Sequence, residues 1–127
     1  MDKLIIKNAR DFYSFSDSSS DEIRLLGGFL CMDVGGSVDS WKSWINEPHG
    51  QQDMGSNYSH LEKRDGKIII AFEIDYFNET PGAPVFELTV PQINYILDRW
   101  KEALEKRPNK IIITKDDQGA ITVEFED

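Results

Sequence analysis

The sequence predicts a single α+β domain: a mainly antiparallel β-sheet with one long helix of the C-terminal half packed on one face, closed by a terminal β-hairpin. Three stretches carry that expectation. Asp65-Gly66 joins two strand-like runs, and a two-residue Asp-Gly connection is a strong hairpin signal because both positions tolerate positive φ. Ile93, Ile96, Leu97, Trp100, Ala103 and Leu104 recur at helical spacing as one apolar stripe, with Asp98, Lys101, Glu102 and Glu105 facing outward. "KIIITKDDQGAITVEFED" reads as two strands about a turn at residues 116–119, with Ile121, Val123 and Phe125 alternating against Thr122, Glu124 and Glu126. The 127 residues hold one core and not two, so the domain runs over 1–127.

The remaining elements follow in order. Residues 4–6 form a short apolar run suited to an opening strand. "SFSDSSSDE", residues 14–22, is small, polar and turn-prone, and reads as a surface loop. Residues 23–34 read as an apolar strand, bent or bulged at Gly27-Gly28 and ended by Gly35-Gly36. Ser37 or Ser40 then caps a short helix with Trp41, Trp44 and Ile45 on one face. Residues 46–57 are the longest candidate for a mobile loop. Residues 58–64 and 67–76 flank the Asp65-Gly66 turn as strands. "NETPGAP" is a turn cluster, and "VFELTV" alternates as a further strand. Thr89-Val90-Pro91-Gln92 combines a capping hydroxyl, an early proline and a glutamine three positions on, the composition of a helix start. Arg107-Pro108-Asn109 stops that helix.

Composition narrows the function. A hydrophobic content of 39% with 11% aromatics suffices for a packed interior. The formal charge of −9 argues against nucleic acid and anionic membranes, both of which require clustered positive charge. It suits a basic protein partner. No stretch of about eighteen apolar residues occurs, and "MDKLIIKNARDF" lacks the apolar core of a secretory signal, so the expected compartment is the cytoplasm. Cys31 is the sole cysteine, set among Phe29, Leu30, Met32 and Val34, which points to a buried thiol.

Chemical motifs are sparse. "GGFLCMDVGGSVDSWK" lacks the Gly-Lys-Ser/Thr ending of a phosphate-binding loop and the Gly-x-Gly-x-x-Gly spacing of a dinucleotide site, so no cofactor is expected. His49 and His60 are the only histidines, and neither has metal-ligand spacing, so no metal is expected. Ser59, His60 and Asp65 could be nominated as a nucleophile–base–acid set, but such sets are recognised by geometry, and no catalytic residue is assigned.

Alternation supplies the candidate site. If Ile68, Ile70, Phe72 and Ile74 face the helix, then Glu73 and Asp75 face the other way; Glu87, Glu124 and Glu126 follow by the same rule. These five carboxylates would share one sheet surface, with Trp41, Trp44 or residues 46–57 as anchors where exposed. Ile69 and Ala71 lie on the same surface, which leaves open its partial cover by the N-terminal half. Two alternatives stand beside a binding surface: a small enzyme or ligand-binding domain with a pocket among residues 27–60, and an accessory protein-interaction domain.

The stretch "VFELTVPQINYILDRWKEALEKRPNKIIITKDDQGAITVEFED" resembles the strand–helix–hairpin endings of small bacterial immunity proteins from polymorphic and contact-dependent growth inhibition toxin systems. The resemblance covers about a third of the chain and transfers no functional residue. It implies a cytoplasmic, non-enzymatic inhibitor that binds a cognate toxin domain, often a nuclease, and blocks it stoichiometrically.

Overall fold

The computed structural model describes residues 1–127, with the exception of the Ser16 side chain. The chain runs β1 (Asp2–Asn8), β2 (Tyr13–Ser18), α1 (Asp21–Gly28), a π-helical segment Phe29–Val34, α2 (Val38–Asn46), β3 (Asp53–Gly55), β4 (Ser59–Arg64), β5 (Lys67–Phe72), α3 (Glu73–Phe77), β6 (Val85–Thr89), α4 (Val90–Lys106), β7 (Lys110–Lys115) and β8 (Ile121–Glu126). The α+β class, the long helix and the terminal hairpin are as the sequence predicts. The strands form two sheets where one was expected, both antiparallel, ordered β2-β1-β7-β8 and β3-β4-β5-β6.

The division into two sheets follows from the segment between β2 and β3. Residues 23–34, expected as a hinged strand, are helical instead. Ser20 caps α1 by accepting the Ile23 N–H, and Asp21 and Glu22 place negative charge in its first turn. Gly27 and Gly28 sit inside this helix because α1 touches both sheets. A Cβ at Gly27 would lie 2.8 Å from Cβ of Phe15, and one at Gly28 would lie 1.9 Å from the Tyr58 ring. The glycine pair therefore permits close approach rather than a strand bend. Gly35, at φ 48°, ends the π-helical segment.

Residues 14–22 also depart from the expected loop. Tyr13–Ser18 pairs with β1 as an edge strand, anchored by buried Tyr13, whose hydroxyl donates to the Pro108 carbonyl at 2.7 Å. Within the expected loop of residues 46–57, Asp53–Gly55 pairs with β4.

The predicted helix start is realised in full. Thr89 accepts the Gln92 N–H at 3.2 Å while the Gln92 side chain accepts the Thr89 N–H at 3.0 Å, and Pro91 stands in the first turn. Ile93, Ile96, Leu97, Trp100 and Ala103 are buried, and Arg107 in the left-handed region closes the C-terminus. The Asp65-Gly66 hairpin also forms, with φ of 52° and 77°. Its register turns Leu61, Ile70 and Phe86 into the core together with Ile68 and Leu88. Burying side chains of this size contributes about 1.5–3 kcal/mol each, so this face is committed to the interior and the opposite face of the sheet is the one free to carry a site.

Candidate functional site

The outward face of the second sheet follows from the same register. One row across β3, β4, β5 and β6 reads Asp53, Glu62, Ile69, Glu87, and the next reads Gly55, His60, Ala71, Val85. Three carboxylates thus flank a single isoleucine. Asp53 and Glu62 stand directly opposite each other, an arrangement that disfavours the sheet unless positive charge comes near.

Sequence alternation misplaces Glu73 and Asp75, because β5 stops at Phe72 and the chain turns into α3. The turn is held by the Glu73 N–H, which donates to the Tyr58 carbonyl at 2.9 Å. α3 folds back over the outward face, so this short helix, and not the N-terminal half, partly covers it. Glu73 Oε2 comes 3.4 Å from His60 Nδ1, and Asp53 Oδ2 lies 3.4 Å from Nε2. Gly55 makes room for the carboxylate: a Cβ there would lie 2.8 Å from Glu73 Oε1. His60 is only 5% exposed, with its ring stacked on Tyr76.

Beyond His60 the surface becomes apolar. Phe77 is 80% exposed, and Ile74, Tyr76 and Val85 are also solvent-accessible. Asp75, Tyr76, Phe77, Ala83, Pro84 and Val85 line an open cavity of about 590 Å³. The Tyr76 phenol is pushed above its ordinary range by partial loss of water and then by the negative charge of Asp53 and Glu62. The site therefore pairs an apolar ledge with negative potential.

The expected five-carboxylate face divides accordingly. Glu87 points outward as alternation requires, 3.9 Å from Lys67. Glu73 and Asp75 are half-buried on α3. Glu124 and Glu126 are exposed, but on β8 of the other sheet. Trp41 and Trp44 are not anchors: each is only 8% exposed, packed edge to face with the other, and Trp41 meets Phe29 in the same way. Of the pocket expected among residues 27–60, the part beside the glycine pair is taken up by Phe15 and Tyr58, while a shallow cavity of about 320 Å³ lies where Ile45, Asn46, Glu47, Pro48 and Gln52 meet the Asp65-Gly66 turn. Ser59, His60 and Asp65 do not converge, since Asp65 lies in the turn at the far end of β4 from His60.

Sequence reasoning missed Ile74, Tyr76, Phe77 and Val85. A signal was present: a ten-residue strand over 67–76 is long against the usual five or six, and "FEIDYF" breaks strict alternation at its end.

No helix is long and apolar enough to cross a membrane among the described residues. Comparison with protein-family models, curated proteins and solved structures finds no match for this chain.

Proposed function

We propose that this chain is a non-enzymatic immunity-type protein that acts in the bacterial cytoplasm by binding a basic toxin domain and covering its working surface. The observation that carries the reading is the exposed ledge of Ile74, Tyr76, Phe77 and Val85 beside Asp75, Glu79 and Glu87. Apolar anchors within a charged rim are the anatomy of a protein-binding patch, in which the anchors supply affinity and the rim steers approach. Phe77, mostly bare here, would contribute about 1.5–3 kcal/mol on full burial. The net charge of −9 adds long-range attraction for a cationic partner.

His60 is a poor candidate for proton transfer to a substrate, because Tyr76 covers its ring and little of it meets solvent. A small-ligand reading draws on the cavity of about 590 Å³, a volume within the range of ligand pockets. The exposure of Phe77 at its edge favours a protein.

Co-expression with the toxin-like product of a neighbouring gene tests the proposal. The expected result is a stoichiometric complex that Phe77→Ser weakens at least about tenfold. Absence of a complex, or one indifferent to Phe77→Ser, would overturn it.

A further inference from the structure

We infer that the outward face of the second sheet holds a receptor site for one arginine side chain of the partner, between Glu62 and Glu87. The inference rests on the binding reading above and specifies the chemistry of that partner. Beside the Phe77 cavity lies a second of about 250 Å³, whose walls include Glu62 and Glu87, the chain's own Arg64, and His60, Ile69 and Tyr76. The two adjoin, sharing Ala71, Tyr76 and Val85. Its volume corresponds to roughly eight waters, enough for the seven heavy atoms of an arginine side chain.

The lining is arranged for an amphipathic cation. Ile69, Ala71 and Val85 give an apolar floor for the methylene stem, while Glu62 and Glu87 stand on either side of Ile69 in one cross-strand row. Two strand spacings put their Cα atoms about 10 Å apart, a separation that a planar guanidinium can address from the middle with donors on both edges. A lysine ammonium, compact and strongly hydrated, matches two separated carboxylates less well.

Negative charge is in excess around the site. His60 is more than nine-tenths buried in the cavity wall, yet neither ring nitrogen makes a hydrogen bond. Both nitrogens face carboxylates, and Glu73 Oε2 also lacks a hydrogen-bond partner. The cations on this face are Arg64, 2.9 Å from Glu62, and Lys67, 3.9 Å from Glu87, set against Asp53, Glu62, Glu73 and Glu87. Both cations are more than half exposed and can swing aside at little cost. Arg64, two residues along β4 on the same face, shows that Glu62 pairs with a guanidinium.

The test uses the isolated chain, isotope-labelled and followed by NMR at the Ile69 and Ala71 methyls and the His60 ring. The probes are N-acetyl-arginine amide, its lysine counterpart and the neutral isostere N-acetyl-citrulline amide. Arginine should shift these signals saturably, lysine more weakly, and citrulline not at all. Glu62→Gln with Glu87→Gln should weaken arginine binding at least about tenfold, and Glu124→Gln on the other sheet should leave it unchanged. Equal responses to arginine and citrulline, no response to arginine, or an unaffected double variant would overturn the site. If arginine fails here while Phe77→Ser still disrupts a protein complex, this inference falls alone. If arginine binds as expected and no protein complex forms, the site stands and the immunity reading falls.

Discussion

The imidazole of His60 lies flat against the phenol ring of Tyr76, with centroids 3.4 Å apart and planes inclined by 11°. One residue belongs to β4 and the other to α3, so this stack fastens the apolar ledge to the sheet. With five residues α3 has too few internal hydrogen bonds to stand alone, and packing must hold it. Tyr76→Ala should therefore cost about 0.5–1.5 kcal/mol and speed amide exchange over residues 73–77 selectively. Unchanged exchange there would show that α3 is held by other contacts.

Gly28→Ala tests the helical placement of the glycine pair. Its new methyl would meet the Tyr58 ring at 1.9 Å, so urea denaturation should report a loss of about 1–3 kcal/mol. Gly36→Ala, with nothing within 4 Å of the added carbon and no positive φ, is the control and should be nearly neutral. A strand hinge would make neither distinction.

Gln92→Ala should be worse than an ordinary cap deletion. Gln92 accepts the Thr89 N–H and also donates to the Gly119 carbonyl at 2.8 Å, so one side chain joins the start of α4 to the β7–β8 turn. Loss of a cap alone costs about 1 kcal/mol. Thr89→Ala should show that amount by chemical denaturation, and Gln92→Ala should exceed it.

Burial pushes the Cys31 thiol up from its ordinary 9.0 to about 12. At pH 8 a thiol reagent should label the folded protein far more slowly than the denatured one. The neutral thiol is the form the fold favours, so its contribution is complete below pH 9 and is lost as the pH rises toward 12. Cys31→Ala should flatten that alkaline part of the stability profile.

What the sequence discloses and what it hides divide along physical lines. The Asp65-Gly66 hairpin, the Thr89–Gln92 box and the stripe from Ile93 to Leu104 are set by local geometry, and each appears as predicted. α1 escapes because glycine pairs disfavour helices, and the reason for them is a contact with Phe15 of β2 and with Tyr58 just ahead of β4. β2 escapes because an edge strand can be polar; only its pairing with β1 reveals it. Glu87 could be placed by alternation, whereas Glu73 and Asp75 could not, since alternation ends where β5 turns into α3. Glu124 and Glu126 separate from the site because a pattern of alternation fixes faces and says nothing of which sheet a strand joins.

The most direct measurement is the association rate with the basic partner as salt is raised, for the native chain and for Glu87→Lys and Glu124→Lys. Charges screen over about 10 Å at 0.1 M salt, so an electrostatically steered approach slows as salt increases. The account predicts that Glu87→Lys slows association markedly and flattens its salt dependence, while Glu124→Lys, on the other sheet, has a much smaller effect. A rate indifferent to salt, or equal losses from the two reversals, would contradict it.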